Sequence, residues 1–553
     1  MEWSKDGLKV RLLGYWPRYE IESSEIKNIV SKNFLGADII IAFLQKAVSQ
    51  QISFNESLEL EIKNAIQKGE LEDIITKKLS SSVLRGHSLD GTAGIVLGIE
   101  GSKFIDPALT GLVNSRSFTT SGRRALIEDL IVPEILNKKE NSHLKELYIK
   151  VSQKALENYK KIIETFGEKE GPQIASKMMA YNGSGNLYIV LPISAIITLS
   201  NELEYQRNEG EIFFPREIEN LVEIIEKEIV KIANMKKIYD ARKAALRDTY
   251  LHWNVFKAPK ENIATEIAKE YDNPLKPVLV NFNVKFTDGF LENIVEIEQM
   301  LKETYALKNP EEIEKKARRN LLAFRDLIDR YNDSVYLQTA SAISWRVWGE
   351  QKRHATLKQC VESIYYAAEN SYKTIISLKE NFKEYKKSPN EKKLKNLTEK
   401  IEQAIVIPSA LKKEGLEILL FNYIDISAKQ ILLMKHLIQN GIEARDAIYI
   451  LPRCVRVRTL ETYDLYNLTL GELSLRLCTT CEPERLETTE IKEKLIKEAI
   501  PELKNLIGPK CILGYCTEPN YCQKIIKYNP NYNKEIHANI REILIKKLSK
   551  SNK

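Results

Sequence analysis

One-signed charge and long apolar runs are what this sequence has least of. Its 83 Lys and Arg stand against 76 Asp and Glu, a net +7 spread over 553 residues. That is far from the concentrated basic face of a dedicated nucleic-acid binder, so no polymeric nucleic acid is expected as partner. The longest apolar stretches, Ala37 to Leu44 and Leu187 to Ile193, fall well short of the roughly 20 residues that span a bilayer, so no membrane partner is expected either. The opening MEWSKDGLKVRLLGYW lacks the apolar core and small-residue cleavage site of a secretory signal, and a cytoplasmic protein is the expectation. Glycine and proline are sparse, 23 and 18, which excludes collagenous and low-complexity chains. The 43% of hydrophobic residues is too rich for a disordered tail.

A well-mixed chain of this length exceeds one core and predicts two large domains. Lys9 to Trp16 reads as an opening strand, and Val278 to Phe286 alternates apolar and polar residues at period two. Each is placed to begin a domain. Most of the rest reads as helix. Arg216 to Asp248 sets Ile218, Leu221, Val222, Ile225, Ile229 and Ile232 at helical spacing behind Pro215. The Lys- and Asn-rich stretch Phe382 to Lys400, with its Ser-Pro-Asn break, reads as a solvated connector. Two echoes recur in one order: YIVLPIS at 188–194 with YILPRCV at 449–455, and TTSGRR at 119–124 with CVESIYY at 360–366. They suggest a diverged tandem duplication, with one domain over 1–245, a linker over 246–276 and a second domain over 277–553.

Several polar groups are candidates for chemistry. Arg353 and His354 sit in GEQKRHATLKQCVES, which has helix-forming composition. Ser363, ten residues on, lies close to three helical turns away, so the three are expected to share a face. A cation, an imidazole and a hydroxyl there suit a phosphate or an anionic ring, although the same pattern fits a solvated surface. Arg453, Arg456 and Arg458 follow, then Arg476 within an apolar helical run. A buried arginine demands a carboxylate or an anionic ligand, and both stay open. Ser121, Gly122 and Arg123 combine a hydroxyl, a flexible backbone and a fork donor that together can cradle a phosphate. Six of the seven cysteines, at 454, 478, 481, 511, 516 and 522, fall in the last hundred residues. In a cytoplasmic chain this favours a metal or a packed thiol cluster over disulfides, and Cys478, Cys511, Cys516 and Cys522 are candidate ligands of a structural zinc ion.

In order and spacing these pieces resemble the flavin-dependent thymidylate synthases. That family's motif is Arg-His-Arg, seven residues, then Ser; here it reads Arg353-His354-Ala355, seven residues, Ser363, with Tyr365 where an arginine usually stands. Leu451-Pro452, LSLRLCTTCEPE and the closing GPKCILGYC with Cys522 are similar to the family's downstream pieces, with Glu350, Ile448 and Glu482 as departures. The first half resembles the family more faintly. Gly86-His87 is similar to its Gly-His near the flavin, IVLGIEGS to the strand before the motif, and Ser121-Gly122-Arg123 to its Ser-x-Arg, while Gly111-Leu112-Val113 stands where Arg-His-Arg would be.

The resemblance implies an α/β (α+β) fold of two such domains in tandem, with long helices packed on antiparallel strands. It also implies reductive methylation of dUMP to dTMP, using FAD, with NADPH and methylene-tetrahydrofolate as co-substrates. Arg476 is then the catalytic residue that polarises the uracil. Ser121, Gly122, Arg123, Arg353, Ser363 and Arg458 bind the nucleotide, and His87, Arg353, His354 and Asn467 bind the flavin. The losses in the two halves are complementary, which implies a single composite site between them. Because family members are tetramers, the resemblance implies a homodimer of four pseudo-subunits. The alternative, resting on Ala355 and Tyr365, is a relative that binds a nucleotide or flavin without synthase activity.

Overall fold

The computed structural model describes residues 1–21, 23–24, 26–27, 34–47, 52–84, 92–113, 115–119, 129–244, 255–351 and 356–550. The chain divides into two compact units. One comprises Met1–Ala258, Ala368–Lys379 and Gly415–Cys454; the other comprises Pro259–Ala367, Glu380–Glu414 and Val455–Lys553.

In the first unit, β1 (Glu2–Lys5) and β2 (Leu8–Trp16) form a hairpin. Its turn residues Asp6 and Gly7 both have positive φ, 50° and 81°, the backbone that an Asp-Gly pair favours in two-residue hairpins. With β3 (Gly94–Ser102), β4 (Arg116–Thr119) and β5 (Ser184–Pro192), these strands make an antiparallel sheet of order β1-β2-β3-β5-β4. The strand expected over Lys9–Trp16 is β2. Gly94 is required where it stands, because a Cβ there would lie 2.1 Å from the Trp16 ring and 2.6 Å from the Leu191 carbonyl oxygen.

The long helix α1 (Ser142–Ala175) kinks at Gly167, whose φ is 76°, and the helix Glu417–Gln439 packs on it. After β5 come α2 (Ile193–Asn208) and α3 (Arg216–Ile224), the latter begun at Pro215 as its sequence predicts. The single helix expected over 216–248 is broken at Asn234, which has φ 51°, before a further helix at Lys236–Ala244. Segment 415–454 is tied into this unit by polar bonds. Arg216 grips Asp446 through Nε and Nη2 at 2.8 and 2.6 Å. Arg445 meets Glu219 at 2.7 Å, and Arg453 donates to the Met179 carbonyl from Nε at 3.0 Å and from its backbone N–H at 3.1 Å.

The second unit opens with β6 (Val278–Val284), the strand expected there, followed by α4 (Asp288–Tyr305) and α5 (Pro310–Tyr331). Thr287 and Asn309 accept backbone N–H bonds as the caps of these helices, and Pro310 occupies the first turn, where its missing N–H costs nothing. On α4, Phe290, Ile294, Ile297 and Leu301 repeat at helical spacing. They pack with Phe324 and Leu327 of α5 and with Leu337 into the main core of this unit. β7 (Val335–Ser344), α6 (Trp345–Gln351), β8 (Lys358–Val361), β9 (Arg456–Tyr463), α7 (Leu465–Thr469), α8 (Glu472–Arg476) and α9 (Pro483–Ala499) complete the site-bearing part. The sheet order is β8-β9-β7-β6, antiparallel throughout.

Written from the other edge, that order is β6-β7-β9-β8, the same chain-order pattern as β2-β3-β5-β4 in the first unit. A second likeness joins the two. Ser102, which ends β3, gives its N–H to Glu217 Oε1 at 2.8 Å and its hydroxyl to the same carboxylate, in the first turn of α3. Ser344, which ends β7, gives its N–H and hydroxyl to Glu484 at 2.6 and 2.7 Å, in the first turn of α9.

Three local expectations are corrected. Phe382 to Lys400 is not a solvated connector. It lies in helices Lys379–Lys387 and Glu391–Ile401, which bury Tyr385, Leu394, Leu397 and Ile401, and the Ser-Pro-Asn break caps the second through Asn390. GEQKRHATLKQCVES is not one helix, since α6 ends at Gln351 and Lys358–Val361 is a strand paired to β9. YIVLP belongs to β5, whereas Ile448–Ile450 is a 3-10 turn, so that echo does not join like elements. The other echo does, because Thr119 ends β4 and Val361 ends β8.

Candidate functional site

Arg476 is the last residue of the five-residue helix α8, which Gly471 starts. Its Nε donates to Glu472 Oε1 one turn back at 2.9 Å, and its Nη2 to the Glu350 carbonyl at 3.1 Å. Glu350 lies in α6, three residues before Arg353. The next residue, Gln351, is fully buried and donates to Glu461 Oε1 at 2.6 Å. On the far side of Arg353 and His354, Thr356 donates its hydroxyl to Asn467 Oδ1 at 3.1 Å, and Asn467 Nδ2 returns a bond to the Thr356 carbonyl at 3.2 Å. Asp464 caps α7 and orients Asn467 through a second Nδ2 bond of 2.9 Å. The chain is thus fastened on both sides of the Arg-His pair, by Arg476 and Glu461 before it and by Asn467 after it.

Behind Arg476 lies a buried ionic cluster. Arg485 reaches Glu472 at 3.1 Å and Glu461 at 3.4 Å, Lys492 reaches Glu461 at 2.6 Å, and the Tyr463 hydroxyl donates to Glu461. Burial alone would raise the Glu461 carboxyl, but Lys492 and Arg485 hold it well below the usual range. Burial pulls the Lys492 ammonium down to about 8 against the pull of Glu461. Arg476, Arg485 and Lys492 stand among the carboxylates Glu461, Glu472 and Glu482, the last accepting the Arg485 backbone N–H at 3.0 Å, so three cations and three carboxylates share a water-poor setting where unpaired charge is costly. Among the described residues, Gln351 Oε1 and Arg485 Nε have no hydrogen-bond partner, which is unusual for buried polar atoms. Chemically, the arrangement suits an anionic, hydrogen-bonding ligand beside Arg476.

Comparison with known proteins follows that chemistry. The chain is 35% identical over 128 residues to a flavin-dependent thymidylate synthase of Pyrococcus abyssi, 34% to that of Pyrococcus horikoshii and 32% to that of Pyrococcus furiosus. The chain therefore carries a flavin-dependent thymidylate synthase-like region. Each match covers 22% of this chain and 50% of the relative, so the chain spans about half the length of the curated relatives it matches. No protein-family model matches it.

Of the residues expected from sequence to form the synthase-like site, Arg476 is bonded to Glu350 and Asn467 to Thr356, on either side in sequence of residues 352–355. Ser363 is fully buried just before the helix Ile364–Ser377. Arg458 is turned to interior partners: its Nη1 meets Glu362 at 3.1 Å and its Nε meets Asn273 at 3.1 Å. Burial outweighs that cation and pushes Glu362 up to about 7. Arg456 is likewise spent on the Glu402 and Ala342 carbonyls, and Arg453 on Met179 and the Tyr181 ring. His87, Ser121, Gly122, Arg123, Arg353 and His354 lie outside the described residues. One first-half feature was overlooked: α2, which follows β5, carries Arg207 in its last turn, as the helices following β9 end in Arg476.

Sequence reasoning also missed Glu461, Glu472, Arg485 and Lys492, although two patterns mark them. In β9, alternation puts Glu461 on the inward face with Val457, Thr459 and Tyr463, and in α9 Arg485, Thr489, Lys492 and Ile496 are spaced as a core stripe. Charged residues at core positions of a strand and a helix point to a buried ionic site.

Cys478, Cys511, Cys516 and Cys522 line one pocket of about 220 Å³, and all are free thiols. Burial, reinforced by the neighbouring thiols of Cys516, Cys478 and Cys522, pushes the Cys511 thiol up to about 12. Yet among the described residues no group of three or more His, Cys, Asp or Glu is placed to hold a metal ion, so the expected structural zinc ion is not supported. The thiols ring a cavity instead of meeting at a point. Among the described residues no helix is long and apolar enough to cross a membrane.

Proposed function

We propose that this chain methylates dUMP reductively to dTMP, with FAD as its flavin and with NADPH and methylene-tetrahydrofolate as co-substrates. The observation that carries the reading is the Arg476 bond to the Glu350 carbonyl, which ties a buried cation to the end of the helix that precedes Arg353 and His354 in sequence. The named activity of the similar Pyrococcus proteins supports it. The donor set fits the ligands, since FAD and dUMP are both anionic and, among the described residues, the buried Arg485 Nε–H lacks an acceptor. Arg353, His354 and Asn467 would hold the flavin, which when bound supplies the reducing electrons and relays the one-carbon unit. Arg476 has five N–H donors in a fixed fork. Glu472 and Glu350 fix its orientation and leave donors for the uracil O2 carbonyl beside N3, where cationic stabilisation of the developing charge makes C5 nucleophilic.

The test is purification of the full chain, its flavin absorbance, and release of tritium from 5-labelled dUMP with folate and NADPH present. Yellow protein with folate-dependent release is expected; colourless protein without release overturns the reading. Yellow protein without release would favour the second reading, a flavin-binding relative, for which Ala355 and Tyr365 in place of motif arginines speak. The tandem origin is part of the proposal and is supported by the shared strand order and the paired Ser-Glu bonds of the two units. A homodimer follows from it, and light scattering should give twice the chain mass of 63.6 kDa.

A further inference from the structure

Strands of the two units correspond residue by residue once Ser102, which ends β3, is set against Ser344, which ends β7. Gly98 then matches Ala340. Gly98 pairs with Arg11 and Tyr188, and Tyr188 with Phe118; Ala340 pairs with Val278 and Leu460, and Leu460 with Cys360. The irregularities agree as well, since a bulge sets Leu13 out of register in β2 and Val280 in β6. These matching faces are finished differently. In the second unit, Ala264 and Ile267 of the helix Ile263–Glu270 lie on Ala340 and Leu460, with Val278, Val280 and Cys360 packed around them. In the first unit the matching residues Arg11, Leu13, Gly98, Tyr188 and Phe118 line an open hollow of about 400 Å³. Leu13 is 52% exposed, Tyr188 45% and Phe118 76%, whereas Ile95, Leu97 and Ile99 on the other face of β3 are buried in the core. Adjacent apolar side chains left open with a polar rim mark a contact surface.

The chemistry of the face says what covers it. The helix Ile263–Glu270 rests on aliphatic and small side chains, but the first unit carries two aromatic rings and a guanidinium at three of the matching places. Across all five strands one row reads Glu2, Arg11, Gly98, Tyr188, Phe118, a charged half and an aromatic half on either side of a glycine. That row is complementary to itself. Half a turn about an axis parallel to the strands at Gly98 exchanges the halves, so each Tyr188 meets the other copy's Arg11, one strand from the axis. An arginine fork on an aromatic ring is a favourable contact, and glycine at the axis leaves room for the rings beside it. The rim is balanced in the same way. Lys9 pairs with Glu100 at 3.3 Å and Arg11 with Glu2 at 2.7 Å, two cations and two anions, so a second copy brings no excess of like charge to the contact. Two sheets pack face to face at about 10 Å, and a two-fold pairing of identical patches is the commonest closed assembly.

We propose that the open face of the β1-β2-β3-β5-β4 sheet seats a second copy of this chain, sheet to sheet across a two-fold axis at Gly98. Phe118, Tyr188 and Leu13 supply the buried apolar contact, and Arg11 fixes the register by lying on the other copy's Tyr188. The contact is that of the homodimer proposed above; it rests on that reading for the existence of a dimer and on none of the flavin chemistry.

The experiment is sedimentation velocity of the full chain over a range of concentrations. The parent should sediment at twice 63.6 kDa. Phe118→Asp and Tyr188→Asp place a carboxylate at exposed positions of the row and should each raise the dimer dissociation constant at least tenfold. Arg11→Glu leaves every apolar residue in place and should do the same, since it removes the cation that lies on Tyr188. Ile418→Asp, at a residue 77% exposed in the helix Glu417–Gln439, should leave the constant unchanged. Circular dichroism matching the parent establishes that each variant is folded. A monomeric parent overturns the proposal together with the homodimer. A parent dimer that persists undiminished in the folded Phe118→Asp, Tyr188→Asp and Arg11→Glu chains overturns this face alone and leaves the homodimer standing, as does an equal loss in Ile418→Asp. None of these readouts depends on flavin or on dUMP turnover, so they remain interpretable if the proposed synthase reaction fails.

Discussion

Arg476 bonds in different directions, to the Glu472 carboxylate and to the Glu350 carbonyl, and only a planar fork serves both at once. A lysine offers one compact ammonium and gives up either the link to α6 or its own anchor. Arg476→Lys should therefore keep the fold and the flavin colour while dropping tritium release by on the order of 100-fold, the usual effect of losing one preorganised charge-stabilising donor; an unchanged rate would remove Arg476 from the chemistry. Glu362 makes a prediction about pH. Burial raises its carboxyl from 4.5 to about 7, so between those values the folded chain holds a proton that the unfolded chain releases. Stability from this group is full below about pH 4.5 and is lost as pH rises through 7. Glu362→Gln keeps an acceptor for the Arg458 N–H, now at 2.7 Å, without the buried charge. Relative to the parent it should gain on the order of 3 kcal/mol between pH 4.5 and pH 8. Urea unfolding of both chains at the two pH values measures this, and a constant difference would contradict it.

At the level of elements, the local hydrogen-bond and steric demands of the second unit decide what tolerates change. Gly514 ends a 3-10 turn with left-handed φ against Thr304, so Gly514→Ala should cost roughly 1–3 kcal/mol, measured as a lowered urea midpoint. A neutral result would mean the loop has another conformation available. Ser344 gives two bonds to the half-buried Glu484 where β7 meets α9, and Ser344→Ala, which removes the hydroxyl bond to that carboxylate, should cost roughly 1–3 kcal/mol by the same assay. These elements also show what could be read beforehand. Strands β2 and β6 were legible because alternation is local, and the Arg476 segment because its family pieces keep their order. β8 was not: KQCV lies within a sequence of helical composition and becomes a strand only by pairing with β9, where Lys358 faces Thr462 about a hundred residues away. The Phe382–Lys400 helices were hidden likewise, since their Lys-rich surface masks a narrow stripe of Leu394, Leu397 and Ile401. For the ionic cluster the signal was present at Glu461 and Lys492, but a charge at a core position is informative only once the core face is known.

For the whole molecule, the units do not follow the chain in two blocks. The first needs Gly415–Cys454 from late in the sequence, and that segment contributes the helix packed on α1, the Arg216 grip on Asp446, the Arg445 pair with Glu219 and the Arg453 bonds to Met179. Asp446 and Arg445 are nearly inaccessible, so deleting the segment removes two buried ion pairs and uncovers part of α1. Loss of that covering apolar surface is large against the roughly 5–15 kcal/mol that stabilises a domain. Residues 1–258 expressed alone should accordingly aggregate or bind a hydrophobic dye. The same residues supplied with Gly415–Cys454 through a flexible linker should give a soluble species with a cooperative unfolding transition. Circular dichroism and light scattering of the two polypeptides distinguish the cases. A monodisperse, cooperatively unfolding 1–258 fragment would show that the first unit owes its stability to its own half, and that the late segment was added to a domain already able to fold.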